Sequence, residues 1–202
     1  MYSESNAAER DRENRGPKTR LMAYMVAVAI IMVLSLYARA RIGASLNAER
    51  EGIVKRLVLT SHLASDLVAG EELSRYLSPD DIYRPDYRRL KETLAAMARE
   101  CGVKYIYYFR IVDGLVQYIV DNDFDHSTRV GLETPPVDPR VELGYEKAMS
   151  GHVSTDGTVE YGLGWPDMLS VHAPVFNESG EVVAVVGVDL PESEIKNARV
   201  KA

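Results

Sequence analysis

Hydrophobic positions follow three different patterns along the chain. Residues 21–38, LMAYMVAVAIIMVLSLYA, carry no charge at all. As a helix rising about 1.5 Å per residue they span roughly 27 Å, close to a bilayer core. Tyr24 and Tyr37 sit near the two ends of this run, where amphipathic rings favour the interface. Residues 44–69 continue with no breaker except Gly52. There Leu46, Ile53, Leu57, Ala64 and Leu67 form a heptad-like stripe between charged positions. This predicts one long helix leaving the membrane run.

The turn signals at 78–81 and 84–86 precede a second helix over 86–100. Its apolar side is Tyr87, Leu90, Leu94, Met97 and Ala98, and Gly102 caps it. From residue 103 the period drops to two. Residues 103–112 and 115–121 flank Asp113-Gly114 and predict a hairpin with a two-residue turn. One face would hold Tyr105, Tyr107, Phe109, Ile111, Val116, Tyr118 and Val120. The other would hold Ile106, Tyr108, Arg110, Val112, Leu115, Gln117, Ile119 and Asp121. Neither face is fully polar, so the sheet is expected to be covered on both sides. A loop over 122–138, a short helix over 140–149, a strand at 152–155 and a glycine-rich aromatic loop over 156–166 follow. A second hairpin, 167–176 with 181–189, closes the domain. The order predicts an α+β fold, a five-stranded antiparallel sheet with covering helices.

Charge changes the picture at the membrane. Five basic residues, Arg10, Arg12, Arg15, Lys18 and Arg20, precede the apolar run, and three, Arg39, Arg41 and Arg50, follow it within a similar distance. That bias places the N-terminus in the cytoplasm. Residues 1–43 hold 7 basic and 4 acidic residues, net +3, and residues 44–202 are net −9. A basic flank suits the anionic inner leaflet. The expected topology is a single-pass inner-membrane protein with residues 44–202 outside the cytoplasm. A cleaved signal peptide is the alternative with the same export, and a buried core helix the alternative without it. The net charge of −6 lacks the basic excess of a nucleic-acid binder, and one cysteine excludes an intramolecular disulfide.

Candidate chemistry concentrates on the strands. Ser170 and His172 are expected on one face with Val183, Val185, Gly187 and Asp189. The other face, Leu169, Val171, Ala173, Val175, Val182, Ala184, Val186 and Val188, is plain core. Polar groups at fixed points beside a glycine suit a small polar ligand, although they equally suit hydrogen bonds to covering loops. Tyr108, Arg110 and Gln117 share a face, where Arg110 could hold a carboxylate or pair with an acid on the long helix. Tyr161 and Trp165 lie in a glycine-rich loop that either closes over a pocket or is anchored by packing. Asp121-x-Asp123-x-Asp125 opens like a calcium loop, but His126 and Leu132 stand where glycine and glutamate are needed. His62, His126, His152 and His172 have no ligand spacing on one element, so no metal or other cofactor is expected. No nucleophile elbow, phosphate loop or zinc-protease motif occurs, so no enzymatic activity is expected.

Three segments carry a resemblance: YIYYFRIVDGLVQYIVD at 105–121, SVHAPV at 170–175 and GEVVAVVGVD at 180–189. With the membrane run and the long helix, they resemble the extracytoplasmic single Cache domain, a PAS-like sensor, over residues 44–195. The resemblance implies a PAS-like sheet with a long N-terminal helix, preceded by one transmembrane helix. The corresponding organisation is a cytoplasmic tail (1–20), a transmembrane helix (21–38), the sensor domain (44–195) and a C-terminal tail (196–202). It further implies signal transduction through a small-molecule ligand, a carboxylate or an amino acid. The stripe on the helix 44–69 itself suits a homodimer, and it equally suits a helix that only covers one face of the domain. Such domains are usually followed by a second transmembrane helix and an output domain, and no such segment follows residue 195 here. A fragment of a longer receptor, or a separate output protein, would account for that. The competing reading is a ligand-free, membrane-tethered dimerisation module on the same fold.

Overall fold

The computed structural model describes the backbone of residues 3–123, 133–134, 139–159 and 167–195, and side chains within 19–123, 144–155 and 167–195. Contacts divide the chain into two units, residues 1–51 and 52–202. The first unit belongs to helix α1 (Ser3–Ser65), which also opens the second. Every large apolar side chain from Leu21 to Tyr37 is more than half exposed. Among the described residues α1 is the one helix long and apolar enough to cross a membrane.

The second unit is a sheet between two unequal layers. After α1 come a single turn α2 (Gly70–Leu73), a 3-10 helix (Pro79–Tyr83) and α3 (Pro85–Cys101). Gly102 ends α3 with φ 62°, as its position in the sequence predicts. Strands β1 (Tyr105–Val112) and β2 (Leu115–Asp121) form the first hairpin. Its turn places both Asp113 and Gly114 at positive φ, the geometry that matches strand twist. A two-residue strand β3 (Glu133–Thr134), α4 (Pro139–Met149), β4 (Ser154–Val159), β5 (Met168–Phe176) and β6 (Val182–Pro191) complete the order. The five long strands form an antiparallel sheet in the order β2-β1-β6-β5-β4, and β3 extends the edge beside β2. The strand expected at 152–155 runs instead over 154–159, because its pairing with β5 continues into the glycine-rich segment.

The central fact of this topology is that β1 lies beside β6. The first and last long strands of the domain thus make the middle of the sheet. One sheet face carries Ile106, Tyr108, Ile119, Val120, Leu169, Val171, Ala173, Val175, Ala184, Val186 and Val188. These pack with Leu57 and Ala64 of α1, Leu73 of α2 and Tyr87, Leu90, Leu94 and Ala98 of α3. The opposite face carries Tyr107, Phe109, Val116 and Val185 under Tyr145 and Ala148 of α4.

Three positions sit on faces other than those expected. A register shift between Tyr108 and Phe109 makes Tyr108 pair with Val120 but Phe109 with Tyr118. The extra residue, Ile119, turns Val120 from the aromatic face to the helical core. A second shift between Val175 and Phe176 pairs Phe176 with Val182, which leaves Val182 off the core face, and puts Val183 outside the alternation. Its side chain lies against Gly70 of α2, where a Cβ would collide with it, instead of joining His172.

Candidate functional site

The site is built from residues that alternate along the three central strands. Two rows run across β5, β6 and β1 on the aromatic face. The first is Ser170, Asp189 and Tyr105, and the second is His172, Gly187 and Tyr107. Phe109 follows Tyr107 on the same face, next to Tyr118 of β2. Ser170 and His172 are completely buried, and Asp189 is 5% exposed. Polar groups at such depth in an otherwise apolar layer are costly unless they find partners.

Aromatic rings enclose His172. Tyr145 of α4 meets the imidazole edge-on at 4.8 Å between centroids, and Phe109 does so at 5.9 Å. The Tyr107 hydroxyl lies 3.4 Å from His172 Nε2. Tyr107 in turn stacks on Phe109 at 6.0 Å and meets Tyr118 at 5.8 Å. Gly187 makes this possible. A Cβ there would collide with the ring and hydroxyl of Tyr107. The space that glycine opens over β6 is therefore occupied by Tyr107. Neighbouring β4 adds Ser154, which pairs with His172 and donates from Oγ to Gly144 O at 2.9 Å.

Tyr108, Arg110 and Gln117 occupy the other face and serve the helical layer. The Tyr108 hydroxyl donates to Ala64 O at 2.5 Å, one of the last carbonyls of α1. Burial, with a smaller contribution from the charge of Glu72, pushes the Tyr108 phenol well above its usual range. Arg110 Nε donates to Gln117 Oε1 at 2.5 Å, and Nη2 donates to Tyr76 O at 2.8 Å. Its partners are thus a side-chain amide and a backbone carbonyl, not an acid of the long helix. Partial burial lowers the pKa of the guanidinium. Ser65 Oγ completes this set by donating to Pro174 O at 2.5 Å. The expected ligand residues therefore fall into two groups separated by the sheet. Ser170, His172 and Asp189 come together with Tyr105 and Tyr107. Tyr108, Arg110 and Gln117 hold α1 and the segment after α2.

Tyr161 and Trp165 lie outside the described residues, as do Asp125, His126 and Leu132 of the calcium-like motif. Asp121 is tied to Lys91 of α3 at 3.5 Å, and Lys91 Nζ also donates to Asp123 O at 2.7 Å. Among the described residues no group of three or more His, Cys, Asp or Glu is placed to hold a metal ion. Cys101 is a partly buried free thiol packed on the helical core. Tyr107, Phe109 and Tyr145 are the site residues that sequence reasoning did not connect with His172. Their alternation was legible, but their proximity depends on β1 pairing with β6.

Comparison with solved structures supports the same fold. The sensor domain of DcuS from E. coli aligns over 74% of this chain and 96% of its own, with a TM-score of 0.51 and 16% identity. The sensor domain of the V. cholerae histidine kinase DctB aligns over 75% of this chain and 54% of its own, with a TM-score of 0.53 and 16% identity. The ligand-binding domain of the Campylobacter jejuni chemoreceptor Tlp3, in complex with 4-methylisoleucine, gives a TM-score of 0.48 at 11% identity. The chain spans 56% of the Tlp3 domain and 54% of the DctB domain, about half of each. No protein-family model matches the sequence, and no curated protein matches it. The chain shares its fold with the DcuS and DctB sensor domains.

Proposed function

We propose that this chain is a membrane-anchored, extracytoplasmic sensing domain that binds a small molecule and takes no part in catalysis. The observation that carries this reading is the cluster Ser170, His172 and Asp189 on the PAS-like sheet, on the face away from the long helix. Fixed polar groups in an aromatic surround suit recognition of a small polar ligand. The exposed apolar segment from Leu21 to Tyr37 anchors the chain, and the basic N-terminal flank keeps residues 1–20 in the cytoplasm. Residues 44–195 form the sensor, and output passes to a further domain or a separate protein.

The test is a thermal-shift screen of the full chain in lipid nanodiscs against small carboxylates, amino acids and amines. A ligand at 100 times its Kd stabilises the fold by about 2.7 kcal/mol, a rise of several degrees in Tm. The expected result is a saturable shift that His172→Ala abolishes while cooperative unfolding persists. A shift that His172→Ala leaves intact moves the site elsewhere.

One observation favours a second reading, a ligand-free dimerisation module. The ring of Tyr107 fills the space above Gly187, where a scaffold would carry packing instead of a pocket. The outer side of α1 also exposes Leu59 and Leu63, at 65% and 58%. Absence of any shift across the panel decides for this reading.

A further inference from the structure

We propose that the corner formed by residues 64–71, where α1 ends and α2 begins, is a pivot. It fixes this end of α1 to β1 and to the β5–β6 hairpin, and the helix before it turns about that point when those strands rearrange. The inference goes beyond the sensing reading, because the contacts belong to the chain itself and serve a scaffold as well as a sensor.

The ties of the corner follow one another along the chain. Ala64 O accepts the Tyr108 hydroxyl of β1 at 2.5 Å, besides the N–H of Leu67 at 3.1 Å. Ser65 Oγ donates to Pro174 O of β5 at 2.5 Å. Gly70 lies so close to the hairpin that an added Cβ would collide with Val183 Cγ2 and Phe176 O. Glu71 Oε1 accepts the N–H of Glu178, in the turn between β5 and β6, at 2.8 Å. These contacts reach β1, β5, β6 and the turn that joins the last two. Hydrogen bonds are directional, so the corner keeps a fixed place on the sheet.

The helix before the corner is held differently. Thr60 and Ser61 are 2% and 0% exposed, yet their hydroxyls donate to their own helix, to Arg56 O at 2.9 Å and to Val58 O at 2.8 Å. Leu57 is fully buried, and Ile53, Val54 and Val58 pack on the same core. This stretch meets the core through apolar groups and self-satisfied hydroxyls. Such contact has no preferred direction and permits small sliding movements of packed helices. A change on the aromatic face has a short path to the corner. Tyr107 and Tyr108 are neighbours in β1, and His172 lies two residues before Pro174 in β5.

The test follows hydrogen–deuterium exchange by mass spectrometry in the full chain in lipid nanodiscs. Tyr108→Phe with Ser65→Ala removes the two hydroxyls of the corner and leaves the packing. The expected result is about tenfold faster exchange over residues 66–73, with α3 and the strands unchanged. Thr60→Val with Ser61→Ala removes two hydroxyls from the body of the helix and is expected to leave 66–73 as in the wild type. Gly70→Ala keeps every hydroxyl but forces the corner off the hairpin, and it should speed the same segment. Gly187→Ala then supplies the rearrangement by displacing Tyr107 on the aromatic face. It is expected to alter exchange over 53–63 in the wild-type background and not when the corner hydroxyls are absent. Exchange over 66–73 that neither corner variant alters, or that rises equally across the whole domain, overturns the pivot. So does a Gly187→Ala effect on 53–63 that is the same in both backgrounds, or absent from both.

Discussion

At the scale of single residues, Gly187 and Tyr107 are the pair on which the site depends. A hydrogen at Gly187 lets the Tyr107 ring lie flat on β6 with its hydroxyl beside His172. Gly187→Ala forces Tyr107 off this position. Overpacking of this kind costs about 1–3 kcal/mol. The expected outcome is a fall in the urea midpoint with an unchanged m-value, together with a changed near-ultraviolet signal from the tyrosine cluster. An unchanged midpoint would mean that Tyr107 has another rotamer available at no cost. The same residue scale explains why the sequence leaves the partner of Arg110 open. Its type and face were evident from alternation, but a guanidinium accepts any oxygen in reach. The Tyr76 carbonyl, 34 positions away in the chain, is the oxygen that the fold supplies.

At the scale of elements, the segment joining α2 to α3 is held by carboxylates. Asp81 accepts hydrogen bonds from the backbone N–H of Ser78 at 2.9 Å and of Leu77 at 2.8 Å, and these lower its pKa. Asp86 accepts from Arg84 Nε and Nη2 at 3.1 and 2.8 Å, which brings its pKa down to about 2 from 3.8. A carboxyl depressed in the folded state stabilises fully above its unfolded pKa and loses that contribution as pH falls through the folded value. Stabilisation of the 3-10 helix and of the α3 start is therefore expected intact above about pH 5 and to fade between roughly pH 4 and 2. Amide-proton shifts at Leu77 and Ser78, followed by NMR, would titrate in that window. Their titration at an unperturbed value would show that Asp81 does not hold the turn.

The long helix makes a second prediction at this scale. Leu57 and Ala64 face the core, whereas Leu59 and Leu63 are exposed one turn apart on another side of α1. If the proposed homodimer forms through that side, Leu59→Glu with Leu63→Glu should yield a monomer in nanodiscs by mass photometry. An unchanged dimer would place the interface on another surface. Core stability should change little, because neither side chain packs on the sheet.

At the scale of the whole molecule, the sheet is what links the two groups of polar residues. Strand β1 presents Tyr107 and Phe109 to the His172 face and Tyr108 and Arg110 to the helical face. Strand β5 holds His172 on the aromatic face and offers the main-chain carbonyl of Pro174 to Ser65 at the end of α1. Along β1, one residue of translation separates the candidate site from a helix anchor. The sequence showed that alternation and both hairpins, and so the composition of each face. It also misassigned Val120, Val182 and Val183, because each bulge adds one residue and inverts the faces beyond it.

What the sequence determined by itself is local. The uncharged run at 21–38, the helical stripe before Ser65, the Asp113-Gly114 turn and the polar alternation of Ser170, His172 and Asp189 are all set by neighbours within a few residues. Tertiary structure alone decided that β1 lies beside β6, that Tyr107 rests on Gly187 against His172, and that Arg110 reaches the Tyr76 carbonyl. The physical reason is that strand pairing across 80 residues is chosen by the burial of two whole faces at once. No local propensity encodes that choice, and side chains meet their partners only after it is made.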